Sequence, residues 1–148
     1  SICEMKLPFQ LEGFKFYGIA DRVDVFPNKS VEIIDYKSNK SDLEKEKREL
    51  QLGFYALALQ TMGYKIKKLS LEMLKLPQPV EYEITPEGIA KDCIGRKKPF
   101  KLEDVKEKIL SLAQAIKNDY ETTFQPTTND DKCRFCKLKF YCPKWGEK

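Results

Sequence analysis

Asp35 and Lys37 stand two residues apart at the end of a largely apolar run, Val31-Glu32-Ile33-Ile34-Asp35-Tyr36-Lys37. Side chains alternate faces along a strand, so both project to one side. A carboxylate that follows apolar strand residues is costly unless it is paired or holds a cation. Asp21, fourteen residues earlier on what reads as the preceding strand, can converge on the same point. Two carboxylates suit Mg²⁺ or Mn²⁺, and such an ion polarises a phosphodiester and lowers the pKa of a bound water. Lys37 would then orient or help deprotonate the attacking water and screen the charge that develops on the phosphoryl oxygens. Taken alone, Asp-x-Lys is first the pattern of a strand-end salt bridge and does not establish a site.

Gln51 and Tyr55 are four apart on an expected helix, so they share a face and can reach one phosphate or one carboxylate. Ordinary rim residues show the same spacing. Near the C-terminus, Cys133, Cys136 and Cys142 form a C-x2-C-x5-C trio whose sulfurs can share one soft centre. Iron–sulfur ligation, zinc and unligated or disulfide-linked cysteines all fit it, and a fourth ligand from Cys3 or Cys93 is not secured by the spacing. Arg96-Lys97-Lys98 is a one-sided basic run that can touch a phosphate backbone or lie solvated. The chain contains no histidine, which removes every mechanism that needs an imidazole base from within it.

These residues have to be positioned by regular elements. Residues 4–11 and 14–26 are rich in aromatic and β-branched side chains and are separated by Glu12-Gly13, a two-residue hairpin signal. The turn Pro27-Asn28-Lys29-Ser30 leads into the strand 31–37, which completes an antiparallel meander. Ser41-Asp42-Leu43-Glu44 is a capping-box pattern, and Gly63 stands where the helix it opens should end. Leu43, Leu50, Phe54 and Leu57 give that helix its expected buried stripe. Two more strands are expected over 68–76 and 80–85, on either side of a Pro77-Gln78-Pro79 turn, followed by a variable excursion from Glu87 to Phe100. A second helix is signalled over 102–118, with Leu102, Val105, Ile109, Leu112 and Ile116 on one face and Glu103 and Asp104 in its first turn. The pattern predicts a mixed β-sheet with flanking helices over residues 1–121 and an appended cysteine-bearing module over 122–148.

The bulk properties agree with this reading. The 148 residues suit one domain with an appendage, and 41% apolar with 34% charged residues argues against disorder. The net charge of +4 fits a nucleic-acid partner without singling one out. An odd five cysteines, three of them in the last sixteen residues, is a poor disulfide framework. No apolar run approaches the roughly 20 residues of a membrane span, no signal peptide is evident, and the chain starts at Ser1. A cytoplasmic fragment of a longer protein is the resulting expectation.

Gly18-Ile19-Ala20-Asp21-Arg22-Val23-Asp24, then Ile33-Ile34-Asp35-Tyr36-Lys37, then Gln51-Leu52-Gly53-Phe54-Tyr55-Ala56 resemble, in order and spacing, the RecB-like branch of the PD-(D/E)XK nuclease superfamily. The resemblance covers about residues 4–145. It implies a restriction-endonuclease-like α/β (α+β) fold, metal ligation by Asp21 and Asp35, a catalytic-water role for Lys37, and a Gln-x-x-x-Tyr element in Gln51 and Tyr55. Arg22 and Asp24 also match, but alternation puts both on the face opposite Asp21, where a structural role is expected. In relatives with this trio, the cysteines help hold a [4Fe-4S] cluster with a fourth cysteine from upstream of the first strand. Many relatives also draw a histidine ligand from a helix before that strand, and no histidine is present here. The implied function is a Mg²⁺- or Mn²⁺-dependent deoxyribonuclease, more exonuclease than endonuclease. The implied setting is DNA repair or recombination, with DNA and a helicase domain of the UvrD, RecB or AddAB type as partners. The alternatives are a catalytically impaired module that binds DNA or braces a helicase, and a small zinc-binding interaction domain.

Overall fold

The computed structural model describes residues 1–37, 45–74, 78–121, 130, 134 and 135. Among these residues, seven strands and two helices follow one another. They are β1 (Ile2–Leu11), β2 (Phe14–Val25), β3 (Ser30–Lys37), α1 (Lys45–Thr61), β4 (Lys65–Met73), β5 (Val80–Ile84), β6 (Ile89–Asp92), β7 (Phe100–Lys101) and α2 (Leu102–Glu121). All seven strands form one sheet in chain order. Every neighbouring pair is antiparallel except β3 and β4, which are parallel and joined through α1. This is a mixed, α+β arrangement, as the pattern predicts.

The β1–β2 turn has positive φ at both Glu12 (46°) and Gly13 (84°). A tight hairpin turn needs that conformation, because its twist then matches that of the strands. The helix stop at Gly63 is also as expected. With φ at 91°, the Gly63 N–H donates to the Gln60 carbonyl and the Tyr64 N–H to the Leu59 carbonyl, each at 3.0 Å. This pair of bonds closes the helix in a Schellman motif.

Three expectations need correction. The segment 87–100 is not a structureless excursion, since it supplies β6 and β7 to the sheet. Its alternation was too short to stand out, the two strands being 4 and 2 residues long. In α1, Leu52, Ala56 and Leu59 are completely buried, Leu57 nearly so, and Leu50 and Phe54 only partly. The helix is therefore buried on more than the predicted stripe, because it lies between the sheet and α2. In α2, Leu102, Val105 and Ile109 are buried, whereas Leu112 and Ile116 are exposed. The capping box at 41–44, with Leu43, lies outside the described residues, as do Cys133, Cys136 and Cys142.

The core joins the inner sheet face to α1 and α2. Phe54 of α1 packs on Phe9 and Phe16, with ring centroids 5.0 and 6.2 Å away. It also lies so close to Gly18 that a Cβ there would come within 2.6 Å of its ring. On its other side, α1 meets α2 at Gly53, where a Cβ would sit 2.6 Å from a Val105 methyl. Both glycines are demanded by close packing. The chain divides into two compact units, Ser1–Leu112 and Ala113–Lys148, and α2 runs through the division. No helix among the described residues is long and apolar enough to cross a membrane.

Candidate active site

The β2–β3 ladder runs from Val25↔Val31 to Arg22↔Ile34. One further step in that register sets Asp21 opposite Asp35. There the Tyr36 N–H donates to Asp21 Oδ2 at 2.9 Å, so a side chain supplies the next cross-strand bond. Val31, Ile33 and Asp35 alternate onto the buried side of β3, with exposures of 0, 0 and 2%. An ionisable group thus closes a fully apolar file.

Strict alternation does not by itself bring Asp21 to that face. Ala20 and Val23 are both completely buried although three residues apart, so the buried phase of β2 changes between them. On the neighbouring strand, pairing passes from Met5↔Ala20 to Cys3↔Arg22, and Glu4 between them takes a left-handed φ of 50°. Asp21 lies out of phase with Gly18 and Ala20 and in phase with Val23, the partner of Ile33. Beyond it, Arg22 and Asp24 point the other way, as alternation from Asp21 predicts. Arg22 donates to both carboxylate oxygens of Asp24 at 2.9 Å and approaches the Tyr36 hydroxyl at 3.4 Å. That pairing holds the Asp24 carboxyl below the usual carboxylate range. It is a surface clamp across β2 and β3.

Lys37 Nζ lies 3.0 Å from Asp35 Oδ2. The approach is ionic, but it is not directed along a hydrogen bond, and this buried oxygen is left without a well-aligned donor. The Asp35 carboxyl is pushed up to about 6, first by burial and then by the hydrogen bond it shares with Asp21, with Lys37 pulling the other way. The site is therefore short of positive charge. A divalent cation that prefers oxygen would relieve the like-charge pair and add a partner for the buried Asp35 carboxylate.

Gln51 and Tyr55 come together as their spacing predicts, with Gln51 Nε2 donating to the Tyr55 hydroxyl at 3.2 Å. Tyr55 is buried, and burial raises its phenol pKa against the opposing hydrogen bond from Gln51. Its hydroxyl also senses the charges of Asp35, Lys37 and Asp21. Gly53, at the middle of this helix, has a role the sequence does not signal, since its missing side chain admits Val105. Among the described residues, no three or more Cys, Asp or Glu converge as a metal-binding group. Cys3 and Cys93 are both exposed and free.

The mixed sheet, the neighbouring carboxylates with a lysine two residues on, and the Gln-x-x-x-Tyr of α1 are the features a nuclease fold of this kind carries. The chain matches the PD-(D/E)XK nuclease superfamily over residues 2–143 and belongs to it. The restriction-endonuclease-like architecture expected from the resemblance follows, together with the family's use of divalent metals and nucleic-acid substrates. Among curated proteins it is similar to the Gene 69 protein of Mycobacterium phage L5, with 29% identity over 144 residues. That alignment covers 94% of this chain and 44% of the phage protein, so the chain spans less than half the length of this relative.

Proposed function

We propose that this chain is a Mg²⁺- or Mn²⁺-dependent deoxyribonuclease domain in which Asp21 and Asp35 hold the ion. The observation that carries the reading is Asp35, a 2%-exposed carboxylate beside a second carboxylate, with Lys37 as its ion-pair partner at 3.0 Å. A bound divalent ion supplies electrophilic stabilisation of the phosphodiester and acidifies nearby water. Lys37, adjoining Asp35, orients the incoming water and offsets charge on the non-bridging oxygens as the new P–O bond forms. The old P–O ester bond breaks, and its oxygen leaves with a proton. Tyr55, fixed by Gln51, holds the phosphate or the Asp35–Lys37 pair in register.

Exonuclease preference, a role in repair or recombination and a helicase partner rest on the resemblance of the Gly18–Asp24, Ile33–Lys37 and Gln51–Ala56 segments to helicase-fused nucleases. Assignment of Cys133, Cys136 and Cys142 to a [4Fe-4S] cluster rests on the same likeness, with zinc as the alternative. Broad absorption near roughly 400 nm after anaerobic purification would support the cluster, and stoichiometric zinc in colourless protein would overturn it.

Lys37→Ala and Asp35→Ala are each expected to abolish Mg²⁺- or Mn²⁺-dependent cleavage of single-stranded and duplex DNA. Undiminished cleavage by both variants would sink the assignment. A non-cleaving, DNA-binding module is the second reading. It is favoured by the absence, among the described residues, of a third metal-binding side chain. Mn²⁺ binding without cleavage by the intact protein would select it.

A further inference from the structure

We propose that the loop after β6 is a preformed docking point for the phosphate backbone of a nucleic-acid strand, beside the Asp21–Asp35–Lys37 site. This deepens the nuclease reading and rests on it. The loop is organised by one carboxylate. Asp92 Oδ1 accepts from the Ile94 N–H at 3.0 Å, and Asp92 Oδ2 accepts from the N–H groups of Arg96 (3.1 Å) and Lys97 (2.8 Å). The Asp92 carbonyl accepts a fourth bond, from the Gly95 N–H at 3.1 Å, and Gly95 takes a φ of 75° that few other residues tolerate. Arg96 and Lys98 are exposed on this braced loop, and Lys91 is exposed on the strand leading to it.

The sheet register sets the loop at the level of the site. Asp35 is opposite Leu71, and Leu71 is opposite Val80. Tyr82 is opposite Asp92, and the Cys93 N–H bonds the Glu81 carbonyl at 2.9 Å, so continuing the pairing sets Ile94 level with Val80. The loop therefore leaves the sheet at the end where β3 and β4 carry the site. Three strand spacings separate β3 from β6, a lateral distance of about 14 Å. At the rise of about 3.4 Å per phosphate of a duplex strand, that is about four nucleotides from the reacting phosphate. A flexible basic tail would lose much of its attraction to ordering, whereas a loop already fixed by four hydrogen bonds does not.

The test is equilibrium binding of a labelled single-stranded oligonucleotide to the protein without divalent metal, across a salt series. For Arg96→Ala/Lys98→Ala, two lost phosphate contacts should lower the slope of log affinity against log salt by about 1.4. Asp92→Ala gives a test of opposite sign. Removing a negative charge should tighten DNA binding by charge alone, whereas loss of the loop brace should weaken it several-fold. An unchanged slope in the double variant, tighter binding by a folded Asp92→Ala protein, or no binding by the wild type would overturn the proposal. The double variant alters only exposed side chains, so it decides the matter even where Asp92→Ala fails to fold. Cleavage by the wild type with Mn²⁺ is scored separately. Cleavage with an unchanged slope rejects the loop alone, and a reduced slope without cleavage rejects the nuclease reading alone.

Discussion

Asp21 Oδ2 accepts the backbone N–H of Tyr36 at 2.9 Å, one residue beyond the last paired position of β2 and β3. One carboxylate oxygen therefore ties the strands together, and the group as a whole faces Asp35. The two duties separate by mutation. Asp21→Asn keeps an acceptor for Tyr36 but loses the charge, so its stability to urea should stay within about 0.5 kcal/mol of wild type. Its Mn²⁺ affinity should fall at least about tenfold. Asp21→Ala should show the same loss of affinity and a further loss of about 1–2 kcal/mol in stability, because the Tyr36 N–H loses its partner. Equal stabilities for the two variants would refute the strand-tying role.

Asp35 supplies a pH dependence of defined sign. Its carboxyl titrates at about 6 in the fold, against an ordinary value of 3.8. Below the ordinary value it is protonated in both states, and its contribution to stability is complete. As the pH rises towards 6, the unfolded chain releases the proton while the fold retains it, so stability is lost, on the order of 3 kcal/mol once both are ionised. The metal-free protein should therefore melt at a higher temperature at pH 5 than at pH 7.5, and Asp35→Asn should flatten the difference. Mn²⁺ should act oppositely, since it competes with that proton. Its affinity should weaken as pH falls below 6, and a Mn²⁺ affinity constant between pH 5 and 7.5 would contradict the assignment.

Much of this site was legible because its pieces lie on regular elements. Asp35 and Lys37 share a strand face, Gln51 and Tyr55 share a helix face, and the short Pro27–Ser30 turn makes the strands of Asp21 and Asp35 neighbours. Asp21 was legible for its type and position, but not for its orientation. The phase change between Ala20 and Val23 lies across the ladder from the left-handed Glu4, and no local pattern marks either. The strands β6 and β7 were hidden by their shortness, and the burial of α1 on more than one side reflects two tertiary partners that helical periodicity alone does not reveal. Likewise, Asp92 reads in sequence as one more surface acid, and only the folded loop shows three N–H groups converging on it.

Tyr55→Phe isolates the hydroxyl. The ring stays packed against Phe54, with centroids 6.1 Å apart, so the fold should survive with a loss of about 1 kcal/mol or less. The hydroxyl that accepts from Gln51 is gone, and kcat should fall about tenfold with KM less affected. Gln51→Leu, which frees that hydroxyl without removing it, should have a smaller effect on kcat. A larger loss from Gln51→Leu than from Tyr55→Phe would make Gln51 the group that meets the substrate.

Gly53 joins the site helix to its support. The position a Cβ would occupy is 2.6 and 2.8 Å from the two Val105 methyls. In an isolated helix, alanine would be favoured over glycine by about 1 kcal/mol. Here overpacking opposes that gain, at a cost of about 1–3 kcal/mol. Gly53→Ala should therefore be net destabilising, and Gly53→Val should be worse. Val105→Ala makes room for the new methyl, so Gly53→Ala/Val105→Ala should be more stable than the sum of the single effects allows. Because Gly53 lies between Gln51 and Tyr55, displacement of α1 should also lower kcat in Gly53→Ala, and the compensating Val105→Ala should restore part of it. Urea denaturation of the four proteins in this cycle, with cleavage measured on the same samples, tests whether the packing of α2 on α1 sets the register of the site. Strictly additive stabilities with an unchanged rate would show that it does not.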